Sequence, residues 1–459
     1  MKKIDSLRRF FAEHRRYEVI ALLFVMMIVN QGDRATLSVA GASVSQELGL
    51  SHGEMGWLFS AFAWAYMLLQ LPGGLAIDRF GSIKVLGLAI IAWSLFTGAV
   101  GTVALMPVSV AFFAVFALLF LVGAAEAPCF PANSKIVSMW FPTAERGTAT
   151  SIFNASQYFA AVVFTPLLAW ISTRWGWPAI FYVMGAAGIV IGVIFILRIK
   201  APLDHGALTP VELQALRSGG ANLEERPASA GAPQGWAETW NGARTLLGQR
   251  MFLGIYLAQF CISTLTFFFL TWFPVYLVQQ RGLSILHAGL LAAIPAIFGF
   301  VGGISGGMIS DWMLRKGMSL TLARKLPIFI GMGLSMTMIL CNYVATDFLV
   351  VVFMALAFFG KGMGALGWAI IADVSPKRTA GMNGAIFNMF GSVAGIVTPV
   401  VIGYMVQSMG SFDGALIYVA LNAVGAIFSY LFIVGPLKRP EEPVPAELEP
   451  TMHPVTAAH

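Results

Sequence analysis

Charged residues are scarce in this sequence. Of its 459 residues, 11% are Asp, Glu, Lys or Arg, whereas 58% are hydrophobic. A soluble chain of this length needs more charge to cover its surface, which excludes a soluble enzyme or binding module. The net charge of +6 does not indicate a nucleic-acid partner, because the basic residues lie between apolar segments rather than along one face. The composition is that of an α-helical protein embedded in membrane lipid.

Clusters of reactive side chains are also missing. The cysteines, Cys129, Cys261 and Cys341, lie singly in separate apolar segments and are expected to be small core residues. The six histidines fall near the termini or between apolar segments, which leaves no nucleophile–base pair and no metal-ligand spacing. We therefore expect no enzymatic activity, no metal and no cofactor. The polar segments are too short for the output domain of a sensor.

Twelve apolar spans are predicted, because about 20 residues at 1.5 Å each cross the hydrocarbon of a bilayer. The basic segment 1–16 precedes an apolar run too long for a cleavable signal peptide, so residues 1–17 are expected to be a cytoplasmic amino-terminus. The spans are 18–43, 55–77, 84–106, 108–134, 148–172, 178–198, 251–279, 285–310, 325–345, 348–373, 380–408 and 413–436.

The basic residues predict the orientation of the spans. If the amino-terminus is inside, 24 of the 28 Lys and Arg residues fall on the cytoplasmic side, which places both termini there. Arg174 and Arg281 then lie outside, while Arg34 and Lys361 lie in the membrane. Residues 18–198 and 251–436 form two bundles, 199–250 is a cytoplasmic linker, and 437–459 is a tail expected to be disordered.

The two halves repeat each other. Gly73-Gly74-x-x-x-Asp78 recurs as Gly306-Gly307-x-x-x-Asp311 at an offset of 233 residues, and Ile152-Phe153-Asn154 recurs as Ile386-Phe387-Asn388 at 234. Agreement between these registers indicates six spans duplicated in the same orientation, as in transporters built from parallel repeats. The predicted fold is an all-α membrane protein of twelve transmembrane helices, in two six-helix bundles related by pseudo-twofold symmetry.

The most unusual stretch is 25–40, where an apolar run is interrupted by Asp33 and Arg34. Charges at the centre of a membrane helix are costly, so this pair must face protein or a water-filled cavity. Asn30, Arg34 and Ser38 are spaced to share one helix face. Two interpretations remain open: a structural ion pair to a neighbouring helix, or a guanidinium that binds an anionic ligand.

The loop after the second span carries Gly74-x-x-x-Asp78-Arg79-x-Gly81-x-x-Lys84, with a degenerate copy at Gly307, Asp311, Arg315 and Lys316. This motif resembles the signature of the major facilitator superfamily. The resemblance implies a rocker-switch transporter in which Asp78, Arg79, Asp311 and Arg315 take part in closing the cytoplasmic side.

Further motifs narrow the resemblance. They are Asp33-Arg34, Glu126-Ala127-Pro128-Cys129-Phe130-Pro131, Thr271-Trp272-Phe273-Pro274-x-Tyr276 and Gly360-Lys361-Gly362. Together they resemble the anion:cation symporter branch, particularly bacterial glucarate/galactarate, hexuronate and galactonate permeases of the inner membrane. The resemblance implies that Arg34 binds a substrate carboxylate and that Asp33 and Glu126 couple transport to protons. The alternative for Glu126 is a structural pair with Lys361, its charge partner in the membrane.

Polar side chains in the apolar spans are expected to bind the hydroxyl groups of a sugar acid, which leave water only if they are hydrogen-bonded again. Taken singly, each such residue could instead form an interhelical hydrogen bond. The predicted substrate contacts besides Arg34 are Tyr66, Gln157, Tyr158, Gln259, Trp368 and Asn388. All of these except Tyr158 fall where the branch that this sequence resembles has substrate contacts, so their selection is what the resemblance implies.

One departure from the branch concerns span 4, where permeases often carry a second arginine two turns before the glutamate. This chain has Leu118-Leu119-Phe120 there. Either Lys361 replaces that charge, or the substrate has one carboxylate, or the coupling differs. The sequence thus predicts a monomer that imports a sugar acid with protons, with no other coupling ion or cofactor. The competing hypothesis is an organic-anion exchanger or facilitator without proton coupling.

Overall fold

The computed structural model describes residues 15–142, 145–204, 208, 210–221, 223, 236–376 and 380–438. Within these ranges the chain forms helices joined by turns, and no strand. Three predicted regions lie wholly or partly outside the described residues: the amino-terminus up to residue 14, much of the linker, and the tail from residue 439.

The first half contains seven described helices. They are α1 (Arg15–Glu47), α2 (His52–Phe80), α3 (Ser82–Thr102), α4 (Val108–Glu126), α5 (Cys129–Trp140), α6 (Arg146–Trp175) and α7 (Trp177–Arg198). The described part of the linker contains α8 (Pro210–Ser218) and α9 (Trp236–Gly248). The second half contains α10 (Arg250–Phe267), α11 (Phe273–Gln279), α12 (Ile285–Arg315), α13 (Leu320–Ser335), α14 (Asp347–Met363), α15 (Gly367–Val374), α16 (Ala380–Met409) and α17 (Asp413–Phe428).

Each of the twelve predicted spans falls on one of these helices or on a consecutive pair. Ten described segments are long and apolar enough to cross a membrane, and α2 is an eleventh if its arms, which meet at 53°, form one span. The fifth predicted span falls on α6, whose stretch Phe159–Trp175 is a shorter apolar helix. The prediction of an all-helical membrane protein is therefore confirmed.

The packing of the helices follows the sequence repeat. In the first half, α1 packs on α6, α2 on α4 and α3 on α7; in the second, α10 packs on α16, α12 on α14 and α13 on α17. The two halves meet where α2 packs on α16 and where α6 packs on α12. Exchanging the halves converts one of these contacts into the other, as expected from a pseudo-twofold axis.

Three of the spans are interrupted near their middle. Between α4 and α5, Pro128 lacks the N–H that would continue the helix, and the break directly follows Glu126. Between α10 and α11 lies a π-helical turn, Phe268–Trp272. Between α14 and α15, residues 364–366 leave the helix. Such interruptions are tolerated in a membrane where they are covered by protein or line a cavity.

The two halves touch near one face of the protein, which is called here the far side. The opposite face, where α1 begins, is called the terminal side. At the far side, a Cβ on Gly56 would lie 2.6 Å from the Pro399 carbonyl oxygen, and one on Gly403 would lie 2.4 Å from the His52 carbonyl oxygen. Backbone contact this close requires glycine, so α2 and α16 are pressed together at this end.

Two further contacts close the far side. A Cβ on Gly289 of α12 would lie 2.4 Å from Ala169 Cβ of α6. The Ser38 hydroxyl of α1 donates to the Thr271 carbonyl oxygen in the π-helical turn at 2.8 Å. The two halves are therefore in contact at three places near the far side, called here the three seams. They join α2 to α16, α6 to α12, and α1 to the π-helical turn.

Candidate functional site

Arg34 and Glu126 form an ion pair near the middle of their spans. The Nη2 and Nε atoms of Arg34 lie 3.0 and 3.3 Å from Glu126 Oε2. Glu126 is fully buried, and its Oε1 atom has no hydrogen-bond partner among the described residues. Glu126 thus pairs with Arg34, and the alternative pair with Lys361 is not present in this structure.

An aromatic pair supports the Arg34 guanidinium. Its Cζ atom lies 4.6 Å from the ring centroid of Phe62 and 5.2 Å from that of Tyr66. The two rings are stacked with centroids 5.5 Å apart. Gly123 of α4 brings the backbone of Phe62 this close, because a Cβ there would lie 2.3 Å from the Phe62 carbonyl oxygen. The rings therefore fix one face of the guanidinium plane.

The predicted polar face of α1 is present in the structure. Asn30 is fully buried and lies beside Glu126, although its amide has no hydrogen-bond partner among the described residues. Arg34 binds Glu126 on this face, and Ser38 reaches the second half. Because α1 is one unbroken helix, the spacing of four residues places all three side chains along one line.

Asp33 lies around the helix from Arg34, toward α3. Its side chain is buried beside Trp93, and neither carboxylate oxygen has a hydrogen-bond partner within the described ranges. The role of Asp33 in proton coupling remains a prediction.

A cleft of about 690 Å³, which includes its open end, contains the charged residues. Asp33, Arg34 and Glu126 line it from the first half, and Phe267 and Thr271 line it from the second. The guanidinium side chain is 18% exposed, so Arg34 is accessible while its partner Glu126 is not. The cleft therefore offers a positively charged donor group at the junction of the two halves.

Three predicted contact residues of the second half lie on α10, α15 and α16, and none of them is among the residues that line the cleft of Arg34. Gln259 Nε2 donates to Ser263 Oγ at 3.2 Å, and its amide lies against Gly367 and Gly391. Trp368 is 54% exposed and packs edge-on against Phe387, with ring centroids 4.9 Å apart. Asn388, next to Phe387, is half-buried.

The remaining predicted contacts lie on α6. Gln157 is exposed, and the side chain of Tyr158 lies outside the described part of the structure. No described contact joins Gln157 to Arg34, and the roles of both residues stay predictions.

Lys361 lies near the middle of its span, in the second half. It is half-buried, and its Nζ atom lies 5.3 Å from the ring centroid of Phe358. Within the described residues it has no carboxylate partner. Lys361 was predicted to be a charge partner in the membrane, but no acidic side chain of the described residues pairs with it.

The residues of the predicted gate lie on the terminal side. Asp78 pairs with Lys135 at 3.2 Å, and Asp311 pairs with Arg324 at 3.1 Å, each inside its own half. The two aspartates are 56% and 63% exposed. The other residues of the motif are Gly74, whose Cβ position is open, Gly81, with φ +91°, and Arg79, Lys84 and Arg315, which are exposed.

Two residues of the site were not identified from the sequence. Phe62 precedes Tyr66 and Gln70 at steps of four residues, a helical spacing that could have placed it on the same face. Thr271 was noted only as part of a family motif, and its carbonyl group accepts from Ser38 because the π-helical turn begins just before it.

Comparison with known proteins agrees with this architecture. Residues 23–323 and 318–457 match the family model described as Major Facilitator Superfamily. The chain is 50% identical to the "Probable galactarate/D-glucarate transporter" of Escherichia coli (strain K12), over 93% of this chain and 95% of that protein. It is 36% identical to the "D-galactonate transporter" of Escherichia coli O6:H1, over 93% and 97%.

Among solved structures, the xylose transporter XylE from E. coli in an inward open conformation matches with a TM-score of 0.67. The match is 13% identical and covers 91% of this chain and 96% of that one, so it supports the fold alone. With the family match over most of the chain and relatives at 50% identity, the protein belongs to the Major Facilitator Superfamily of transporters.

Proposed function

We propose that this protein imports a sugar acid together with protons across the bacterial inner membrane. The observation that carries the proposal is the Arg34–Glu126 ion pair, which lines a cleft between the two halves. The names of the relatives support the substrate class, because they refer to glucarate, galactarate and galactonate. Protons are the only coupling ion required, and a monomer suffices.

Arg34 is the group that binds the substrate carboxylate. A guanidinium presents several donors in a plane, which suits a carboxylate better than a point charge does. Phe62 and Tyr66 hold the plane from one side. Hydrogen bonds to the sugar hydroxyl groups come from Tyr66, Gln259 and Asn388, with Gln157 and Tyr158 contributing from α6, and Trp368 offers an aromatic face.

Glu126 couples substrate binding to protons by competing for the same guanidinium. While it is ionised, it occupies Arg34 through Oε2. When a proton binds to Glu126, the charge of Arg34 is no longer balanced. The anionic substrate then binds Arg34 in place of the Glu126 carboxylate. Asp33 is a second proton site in the same region. A proton that enters with the membrane potential gains about 2.3 kcal/mol per 100 mV, which can drive accumulation.

The terminal side is cytoplasmic in this proposal, because the basic residues predict that orientation. The three seams toward the far side then close the outside, and the exposed gate residues belong to an open inside. In the proposed orientation this arrangement is the inward-open state. In the outward-open state the residues Asp78, Arg79, Asp311 and Arg315 close the cytoplasmic side.

Uptake into proteoliposomes tests the proposal. Labelled glucarate, galacturonate and galactonate are offered with an imposed pH gradient, with and without a membrane potential. We expect at least one acid to accumulate in the wild type and not in Arg34→Ala. Arg174→Ala, which removes an exposed arginine at the far end of α6, is the matched control and should transport normally. If none of the acids is taken up, or if Arg34→Ala transports normally, the proposal is wrong.

The competing function is anion exchange or facilitated diffusion without proton coupling, with the Arg34–Glu126 pair purely structural. That reading predicts that uptake follows the substrate gradient alone. Accumulation against a substrate gradient, driven only by pH, would exclude it.

A further inference from the structure

The cleft that contains Arg34 continues into a pocket whose walls are apolar. Most of the side chains that line the cleft are apolar, although its charged residues are grouped at one level. The pocket is called here the apolar lobe. Leu37, Phe59, Val100 and Leu119 line it from the first half, and Phe267 and Leu270 line it from the second.

The apolar lobe lies on the far side of the charged residues. α1 runs from the terminal side to the far side, and Leu37 comes three residues after Arg34. α4 runs back toward the terminal side, and Leu119 comes seven residues before Glu126. At 1.5 Å per residue, Leu119 is about 10 Å closer to the far side than Glu126. The lobe therefore reaches about two helical turns beyond the ion pair.

The predicted contacts for sugar hydroxyl groups lie on the other side of Arg34. Tyr66 follows Phe62 by one turn on α2, which runs toward the terminal side. Gln259 precedes Phe267 by about two turns on α10, which runs toward the far side. Arg34 therefore stands at a boundary, with polar side chains toward the terminal side and apolar side chains toward the far side.

The apolar lobe is unsuited to a polyhydroxylated chain. Three threonines, Thr36, Thr97 and Thr271, are the uncharged polar side chains that line the cleft. The hydroxyl groups of Thr36 and Thr271 donate to carbonyl oxygens of their own helices. A sugar chain placed here would exchange its hydrogen bonds with water for few others, which is costly. An apolar group loses no hydrogen bond here and is stabilised by leaving water.

Arg34 has a donor available for a ligand at the entrance of the lobe. Its Nε and Nη2 atoms donate to Glu126, whereas Nη1 makes no hydrogen bond with any described residue. A guanidinium N–H binds a carboxylate through a charge-assisted hydrogen bond. The cleft thus joins one cationic donor to an apolar pocket.

We infer that the apolar lobe binds the apolar arm of an amphipathic monocarboxylate, such as an arylalkanoate, whose carboxylate binds Arg34. The ligand competes with a sugar acid for Arg34 and extends toward the far side instead of the terminal side. It is therefore an inhibitor. The inference rests on the proposed role of Arg34 as a carboxylate-binding residue, and it is independent of proton coupling.

The apolar lobe is formed by both halves, so its ligand affects the conformational equilibrium. Leu37 and Phe59 belong to the first half, and Phe267 and Leu270 belong to the second. Phe59 also packs edge-on against Trp272, with ring centroids 5.1 Å apart, so the lobe adjoins the contacts that close the far side. Separation of the halves there divides the lobe. The ligand therefore binds more tightly to the state with a closed far side and increases its population.

Three related compounds test the inference: 4-phenylbutanoate, butanoate, which lacks the ring, and 4-phenylbutanamide, which lacks the charge. Affinities for the purified protein are measured by calorimetry. We expect 4-phenylbutanoate to bind about tenfold or more tightly than either comparison compound, because burial of a phenyl ring and a charge-assisted hydrogen bond each contribute about that factor. Glucarate should displace it.

Two substitutions at one position of the lobe provide the variants. Leu119→Gln places an amide in the apolar lobe, and Leu119→Phe fills part of it. Both should weaken binding of 4-phenylbutanoate about tenfold, whereas the affinity for glucarate should change by less than about threefold. Leu118→Gln is the matched control, because Leu118 is the preceding residue and does not line the cleft.

Closure of the far side is measured with Ser38→Cys in a background without native cysteines. Bound 4-phenylbutanoate should slow its reaction with an impermeant maleimide about threefold, and butanoate should leave the rate unchanged. Ser38 does not line the cleft, so slower labelling reports closure of the far side and not shielding by the ligand.

The outcomes separate this inference from the proposed function. If the three compounds bind equally, if folded Leu119 variants keep the wild-type affinity, or if Arg34→Ala still binds 4-phenylbutanoate, the inference is wrong. An unchanged labelling rate contradicts the preference for the closed far side. Binding of 4-phenylbutanoate without binding of any sugar acid contradicts the proposed function and leaves this inference intact. Melting temperatures and size-exclusion profiles establish that the variants are folded, and Leu119→Phe serves if Leu119→Gln unfolds.

Discussion

Arg34 holds Glu126 through a single carboxylate oxygen. Its Nη2 and Nε atoms both lie within hydrogen-bond distance of Oε2, at 3.0 and 3.3 Å, and Oε1 is left without a described partner. A symmetrical fork with two oxygens would hold the carboxylate more firmly. The observed geometry leaves Oε1 outside the ion pair.

Replacing this carboxylate should uncouple transport from protons. We expect Glu126→Gln to lose pH-driven accumulation of the sugar acid while retaining exchange of internal for external substrate. The reason is that a neutral amide leaves Arg34 permanently available for the anion. Counterflow and gradient-driven uptake in the same proteoliposomes measure the two activities.

A matched carboxylate provides the control. Glu47 lies at the far end of α1, where it accepts a hydrogen bond from Trp177 Nε1 at 2.7 Å. Glu47→Gln retains an acceptor oxygen there and should leave both activities unchanged. Uphill uptake by Glu126→Gln at the wild-type rate would show that Glu126 is not the carboxylate that couples transport to protons.

The aromatic support of Arg34 should contribute to substrate affinity. Phe62→Leu removes the ring that lies 4.6 Å from the guanidinium, and a cation–π contact contributes about 0.5–2 kcal/mol. We expect a higher KM for the sugar acid with little change in expression or melting temperature. Phe113→Leu, in which an exposed ring of α4 is replaced, should leave KM unchanged. Equal KM values for the two variants would show that the ring does not support Arg34 during binding.

The glycine contacts of the far side should control the conformational equilibrium. Gly56→Leu places a side chain against the Pro399 carbonyl oxygen and so opposes closure of α2 on α16. We expect a cysteine at position 38, in a background without native cysteines, to react about tenfold faster with an impermeant maleimide, which corresponds to a shift of about 1.4 kcal/mol.

Gly333→Leu is the control for this experiment, because no atom lies within 4 Å of its Cβ position. It should leave the labelling rate unchanged. If Gly56→Leu labels no faster than the control, the seam between α2 and α16 does not hold the far side closed.

The gate motif should affect turnover rather than stability. The Asp78–Lys135 pair is exposed, and exposed pairs contribute about 0–1 kcal/mol, so its loss should scarcely change the melting temperature. We expect Asp78→Asn to reduce the maximum rate of transport strongly with little change in KM. Lys135→Ala breaks the same pair but keeps Asp78, and it should be much less impaired. Equal loss in both variants would mean that the pair inside the first half matters, and not closure by Asp78.

Lys325 is expected to stabilise the second half without affecting the substrate site. Its buried ammonium group donates to the carbonyl oxygens of Tyr430 and Gly435, the latter at 2.6 Å, at the end of the last span. Leaving such carbonyl groups without donors costs about 1–3 kcal/mol each. Lys325→Met should therefore lower the melting temperature while the KM of the remaining folded protein is unchanged. An unaltered melting temperature would contradict this role.

The sequence was sufficient to predict the helices, the repeat and the family. Apolar length and the distribution of Lys and Arg are properties of the chain itself, and the repeat at 233 and 234 residues predicted which helices correspond. The shared face of Asn30, Arg34 and Ser38 followed from helical spacing alone. These features depend on the order of residues along the chain, which can be read directly from the sequence.

The pairing of charges could not be predicted in the same way. The repeat maps Glu126 next to Lys361 in register, and this suggested a pair between them, but the two residues lie on different halves. Arg34 reaches Glu126 because the break at Pro128 and the close approach at Gly123 bring α4 toward α1 and α2. Distances of this kind depend on how helices tilt and pack, and spacing within one helix does not determine them.

The contacts between α2 and α16 have a consequence for the medium in which the transporter works. Gly53 N–H donates to Gln407, Trp57 Nε1 donates to Tyr404, and the glycines meet backbone carbonyl groups. All of these groups are neutral, so ionic strength has little influence on them. The exposed ion pairs of Asp78 and Asp311 lie on the other face, which is the cytoplasmic face in the proposed orientation, and the composition of the cytosol is held nearly constant. If the far side faces outward as proposed, the outer entrance closes equally firmly in dilute and in saline surroundings.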